Sequence, residues 1–298
     1  MSENQRNRSQ GWKYAKITGH ENEKNVTGEV LDSNELRNRI LNVAHKIGST
    51  IMRIEYGGLN EKDVDCVLGG KTKSKSDMMV YLDDGDTIGI SIKKSLSGQV
   101  YLIGTDRFIE GYEKQYNAII PDDVKEAIKL YWGCSEKTDY VISEFSNKNK
   151  VYEKRKHRIV ATTLKSYSSD LYDCLINWFN DNIKNIFDFC FSKGLVIDDN
   201  KWSKIIWYKN DVDEVDVDVM INIDDAKKCL KENCVYGIRT GGSTIQLPFG
   251  FVQWHSPTKK IPGDMQFHHK YNEIIDMIKE YCKENDCEYL EKNPTLKI

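Results

Sequence analysis

Apolar residues recur along this chain in two periods, one helical and one extended. Between Asn34 and Ile47 the positions Leu36, Ile40, Leu41, Ala44 and Ile47 fall on one face of a helix. Upstream, Thr18-Gly19-His20-Glu21 has the form of a capping box, predicting a helix that starts there and carries Glu23 in its first turns; Asn25 and Gly28 work against it. After Ile47 the period shortens. The runs Ile51–Tyr56, Val64–Leu68, Met78–Leu82, Ile88–Ile92 and Val100–Ile103 are separated by Gly-Gly, Asp-Asp-Gly-Asp and Ser-Gly, which is turn chemistry, and read as an antiparallel meander.

Helical spacing returns in Phe108–Asn117 and in the segment that Pro121-Asp122-Asp123 opens toward Tyr131, with proline in the first turn and acids at its positive end. Leu171–Phe191 reads as one long, aromatic-rich, buried helix. Strand character resumes in Ile205–Tyr208, Val215–Ile223 and Ser243–Trp254, before a charged helix near Tyr271–Glu284. The fold class is therefore α/β in the α+β sense. A polar, charged stretch from Ser146 to His157 marks the one candidate boundary, between 11–145 and 146–298, although a solvated charge run inside a single domain has the same look.

Composition narrows the classes. The 298 residues hold 43 Lys plus Arg against 46 Asp plus Glu, a formal charge of −3, so general basic binding to nucleic acid is not announced and local pattern must decide. Hydrophobic residues at 39% and only 5 prolines suit a packed core. The first ten residues lack an apolar stretch, and no run approaches the ~20 residues of a spanning helix, so the expected compartment is cytoplasmic, with no membrane partner. Eight cysteines are too few for a disulfide scaffold in a chain this long.

The chemistry concentrates in Lys75-Ser76-Asp77, the acidic turn Asp83–Asp86, and Gly89-Ile90-Ser91-Ile92-Lys93-Lys94. Two adjacent strands put an acid and a lysine side by side, and alternation gives Ser91 and Lys93 a common face. Phosphodiester hydrolysis needs a metal to neutralise charge on the phosphate and a positioned water. Asp77 supplies one hard oxygen ligand for Mg2+, Glu23 a second if its helix packs on the sheet end, and Lys93 a cation for the water. Glu35 and Glu55 compete with Glu23 for that place. An Asp–Lys pair on neighbouring strands is by itself an ordinary surface pair; Glu23, the Ser-Ile-Lys-Lys run and lysines 71, 73 and 75 tip the balance.

Through Gly19-His20-Glu21-Asn22-Glu23, Gly69-Gly70 leading to Lys75-Ser76-Asp77, and Ser91-Ile92-Lys93, residues 11–130 resemble the PD-(D/E)xK nucleases, most closely type II restriction endonucleases. The resemblance implies a restriction-endonuclease-like core, a mixed β-sheet flanked by helices. It implies Mg2+-dependent cutting of double-stranded DNA at a short sequence, a homodimer, a cognate DNA methyltransferase, and 5′-phosphate and 3′-hydroxyl ends. Ser91 departs from the pattern, standing where the family has Asp or Glu. That departure raises the weight on Glu23, and opens a second reading as a DNA-binding protein with a decayed site. A repair or junction nuclease that reads DNA shape is a third.

The C-terminal half supplies a candidate β-rich recognition elaboration. Arg239, Ser243, Gln246, Gln253, His255, Gln266 and His268, with Lys94 and Gln99 from the first half, are the residue types that contact phosphates and base edges. A buried strand whose glutamines and histidines are satisfied by neighbours explains the same pattern. Zinc is a weaker reading, since Cys229/Cys234 and Cys282/Cys287 have loose spacing in helical-looking segments. The alternation of acids and valines over Asp211–Asp218 reads as a half-exposed strand. Walker, dinucleotide and Gly-x-Ser-x-Gly patterns are absent, as is the spaced histidine pattern of an HNH site.

Overall fold

The computed structural model describes residues 8–56, 64–146, 158–210, 217–231, 235, 237, 242, 244–255 and 263–288, with side chains from Ile17 onward. Helices α1 (Arg8–Asp32) and α2 (Asn34–Val43) precede strands β1 (Ile51–Tyr56), β2 (Val64–Asp65), β3 (Lys71–Thr72), β4 (Met78–Leu82), β5 (Thr87–Lys93) and β6 (Ser97–Gly104). Helices α3 (Thr105–Tyr116), α4 (Asp122–Tyr131), α5 (Thr138–Phe145), α6 (Ala161–Tyr167), α7 (Ser169–Asp181) and α8 (Ile183–Asp188) follow, and a π-helical turn over Phe189–Lys193 continues α8. The chain ends in β7 (Ser203–Lys209), β8 (Asp218–Asn222), α9 (Ile223–Lys228), β9 (Thr244–Leu247), β10 (Gly250–His255), β11 (Asp264–Lys270) and α10 (Tyr271–Asn285).

The result is a mixed α/β architecture with a mixed sheet flanked by helices, as the pattern predicts. That sheet has the order β1-β4-β5-β7-β8, and β5 is its central strand, antiparallel to β4 and parallel to β7. Every residue of β5 before Lys93 is buried, which is why it reads as a near-continuous apolar run. One sheet face, with Met78, Val80, Ile88, Ile90, Ile92, Ile205, Trp207 and Met220, packs against Val26 and Val30 of α1 and Ile40, Leu41 and Val43 of α2. The other face, through Ile206, Tyr208, Val219 and Ile221, joins a second core built on the helices after β6. A second, antiparallel sheet, β6-β11-β10-β9, closes that core from the far side through Ile245, Val252, Trp254, Met265 and Phe267. Phe108 of α3 holds its centre, 5.8 Å from Phe267 and 5.6 Å from Phe189, ring to ring.

Both sheets draw strands from either side of residue 146, and residues 147–157 lie outside the described residues. The meander is interrupted, because β6 leaves β5 and pairs with β11 instead. The Val64–Leu68 run forms a two-residue ladder with β3 and an isolated bridge from Cys66 to Val196. The long helix expected over Leu171–Phe191 is broken into α7, α8 and the π-helical turn, with Asn180 and Asn182 turning their amides onto Ile176 O (3.2 Å) and Trp178 O (2.9 Å) at the break. Among the described residues no helix is long and apolar enough to cross a membrane.

One glycine is required by packing. At Gly89, where β5 shifts register against β7, a Cβ would lie 2.3 Å from the Trp202 carbonyl oxygen and 2.2 Å from Ser76 Oγ. Ser76 is fixed there by the Ser203 hydroxyl at 2.9 Å. That close approach lets β7 pair with β5 from Gly89 onward.

Candidate active site

Strands β1, β5 and β7 run in the same direction, since β1 and β5 both oppose β4 and β7 is parallel to β5. Their C-terminal ends, at Tyr56, Lys93 and Lys209, line one edge of the sheet. Helix α1 lies across that edge. Lys94 Nζ donates to Thr18 Oγ1 (2.8 Å), Tyr56 OH to His20 O (3.2 Å), and Asn22 Nδ2 to Lys209 O (2.8 Å). An isolated polar helix is marginal in water, and these ties, with Val26 and Val30 buried at about 1.5–3 kcal/mol each, hold α1 in place. Thr18 therefore sits inside the helix Arg8–Asp32, serving as acceptor for Lys94 rather than as an N-cap.

Asp77 enters the edge one residue before β4, its N–H donating to Ile90 O at 2.8 Å. Its Oδ2 accepts from the Ile92 N–H (2.8 Å) and from the Ser91 hydroxyl (3.3 Å), while Lys93 Nζ donates to Ser91 Oγ at 2.6 Å. The hydroxyl of Ser91 thus links the lysine to the carboxylate, which is the chemical use of a serine where an acid is expected. It donates once and accepts once, so it orients both partners without adding negative charge.

Glu23 completes the group from α1, its Oε2 3.0 Å from His20 Nδ1. Burial holds the Glu23 carboxyl well above the ordinary carboxylate range, and the negative charge of Asp77 adds to the effect against the opposing pull of Lys93 and Lys73. Burial also raises Asp77, against Lys93, the Ile92 N–H, Ser91 and His20. Two carboxylates in one desolvated edge thus work against each other's ionisation, and a shared cation would relieve both. Their oxygens are the hard donors Mg2+ takes, and Mg2+ retains waters in its remaining positions. The donor set fits. Among the described residues no group of three or more His, Cys, Asp or Glu is arranged to hold a metal.

Of the rivals to Glu23, Glu35 is exposed on α2 and Glu55 is occupied by Arg53 (2.8 Å) and Tyr81 OH (2.7 Å). Two further groups face the site. Lys75 sits 3.1 Å above the Tyr101 ring, and lost hydration, with Lys93 nearby, brings its pKa down to about 7. Buried His269, 3.0 Å from Tyr208 OH through Nδ1, is lowered to about 3 by desolvation first and then by Lys93 and His268. Lys75 entered the linear pattern only as one of three nearby lysines, and His269 had no assigned role there, because it reaches Lys93 only through pairing of distant strands.

Gln99, Gln246, Gln253, His255, Gln266 and His268 come together on one face of the second sheet, the face turned away from the core. Arg239 and Ser243 lie outside the described residues, as do Cys234 and the acids between 211 and 216. Lys94 is engaged with Thr18.

No family model matches the sequence, and no curated protein matches it. Among solved structures, the chain is similar to one described as restriction endonuclease MspI in complex with its cognate DNA. Identity is 11% and TM-score 0.45, over 78% of this chain and 77% of that one. A likeness this loose carries no weight for function.

Proposed function

We propose that this chain is a Mg2+-dependent endonuclease that cuts double-stranded DNA at a short specific sequence, a type II restriction endonuclease. It is cytoplasmic, acts as a homodimer on two-fold sites, and is paired with a cognate DNA methyltransferase. One observation carries this reading: Asp77, Glu23, Ser91 and Lys93 converge on one sheet edge, with two mutually repelling carboxylates beside a lysine.

In this mechanism Asp77 and Glu23 hold the metal. The chemistry supplied by bound Mg2+ is neutralisation of charge at the scissile phosphate and a lower pKa for the attacking water. Lys93 would orient the attacking water and place a positive charge beside it. Ser91 fixes the Lys93 amine against Asp77 Oδ2, so that the cation and the acid keep a set separation. His20 braces Glu23 through Oε2, leaving Oε1 for the metal. Lys94 serves by tying α1 to the end of β5, and DNA contacts come from Gln99, Gln246, Gln253, His255, Gln266 and His268, with Arg239 and Ser243 proposed beside them.

The test is incubation with complex unmethylated DNA, with Mg2+ and with chelator, and sequencing of fragment ends. Discrete Mg2+-dependent fragments sharing an end sequence are expected, with Asp77→Asn and Lys93→Ala inactive; an active Asp77→Asn protein refutes the assignment. The decayed-site reading rests on Ser91 and predicts DNA binding without cutting under any divalent metal. The retained Lys93–Ser91–Asp77 chain favours the active reading.

A further inference from the structure

The outer face of the second sheet carries an ordered row of amides. On β10, β11 and β6, Gln253 Nε2 donates to Gln266 Oε1 at 2.9 Å and Gln266 Nε2 donates to Gln99 Oε1 at 2.7 Å. The second N–H of Gln253 reaches His268 Nε2 at 3.3 Å, and the His268 ring stacks on Phe251 at 4.5 Å and 11°. Burial disfavours the charged form of His268, so the neutral ring is available as acceptor.

Hydrogen-bond capacity singles out the middle amide. Gln253 spends both N–H groups, on Gln266 and His268. Gln266 spends one N–H and one carbonyl lone pair, and among the described residues its other N–H and other lone pair have no partner. One donor and one acceptor on a single amide is the pattern that pairs with adenine, N–H to N7 and C=O from N6. Exposed side-chain amides gain little by pairing with each other in water, so a row held across three strands is explained by what it orients.

We infer that this face enters the major groove and that Gln266 reads an adenine there, with Gln253 and Gln99 as positioning residues that fix its amide plane. This rests on the duplex-DNA reading of the active edge. Adjacent strands are about 4.8 Å apart, so Gln266 and its two neighbours in the row lie within about 10 Å of backbone. Residues 94–96 alone separate Lys93, at the active edge, from β6, the first strand of this sheet.

The experiment is selection of bound duplexes from a random pool by the full-length protein, with Ca2+ replacing Mg2+ so that DNA is not cut, followed by sequencing. The wild-type protein enriches a motif containing an A·T pair. Gln266→Ala lowers discrimination at one such pair roughly 10- to 100-fold. Gln253→Ala weakens it at the same pair, which loss of general stability would not do. Gln266→Glu, close to isosteric and acceptor-only, shifts that pair toward C·G, since a carboxylate accepts from cytosine N4; it carries the test if the alanine variant fails to fold. A motif without A·T, or one unaltered by either Gln266 substitution, overturns the inference and leaves the nuclease reading standing. Absence of duplex binding at low salt overturns both.

Discussion

His269 makes the stability of this protein acid-sensitive by a calculable amount. Its ring is 3% exposed, hydrogen-bonded to Tyr208 OH, 5.5 Å from the Tyr208 ring and 6.4 Å from Phe191, with Lys93 and His268 as the charged or titratable neighbours. Because its pKa falls from 6.5 to about 3 on folding, the unfolded chain holds more protons across that interval. Stability from the neutral ring is complete above pH 6.5 and is lost as pH falls toward 3. At pH 5 the loss is about 2 kcal/mol, from the linkage relation at 1.36 kcal/mol per pH unit of difference. The perturbation is His269→Gln, which does not titrate and keeps a hydrogen-bonding group for Tyr208. Urea unfolding of both proteins at pH 7.5 and 5.0 isolates the effect, since other titrations cancel in the double difference. The wild type should lose about 2 kcal/mol more than the variant over that range. Parallel losses would refute the argument that His269 is held neutral by its surroundings.

Three further outcomes follow from the geometry. Glu23→Gln removes one of two opposed carboxylates, so at pH 8 without metal the variant should melt a few degrees above wild type, while the stabilisation of wild type by added Mg2+ should be absent from it; calorimetry with and without chelator reads both. Ser91→Ala releases Lys93 from Asp77, and cleavage should fall roughly 10- to 100-fold with Mg2+ affinity by titration calorimetry changed less than threefold; a large loss of metal affinity would make Ser91 a ligand instead. Gly89→Ala drives a methyl into the Trp202 carbonyl at 2.3 Å, and a destabilisation of about 3 kcal/mol or more is expected by urea unfolding.

Local chemistry made the strands at Met78–Leu82 and Ile88–Ile92 legible, because short apolar runs joined by Asp-Asp-Gly-Asp leave few other conformations. Ser91 and Lys93 share a face for the same reason, and alternation in Asp264–Lys270 put Gln266 and His268 opposite the buried positions. The choice among Glu23, Glu35 and Glu55 was open at that level. Glu23 is brought to the edge only through non-local ties, since α1 is held there by bonds with residues 56, 94 and 209, and no local pattern announces which distant strand will supply a partner. The same limit hid the parallel pairing of β5 with β7, separated by more than a hundred residues. It also hid that strands from both sides of residue 146 pair within each sheet.

That non-locality bears on how the edge works. Asp77 and Lys93 are placed by a tight hairpin, and would remain neighbours if the distal strands loosened. Glu23 depends on α1, which depends on Lys209 at the end of β7, on Tyr56 at the end of β1 and on Lys94 just beyond β5. The second carboxylate is therefore assembled only when the chain on both sides of residue 146 has folded together. The Asp77–Glu23 repulsion it creates is sustained by the burial of Val26 and Val30 and by those three hydrogen bonds, so α1 is where opening of the folded protein should start when the metal is withheld. Native-state hydrogen exchange checks this directly. Protection of α1 amides should rise on adding Mg2+ more than protection of β5 amides, and equal gains in both would show that the helix and the central strand open as one unit.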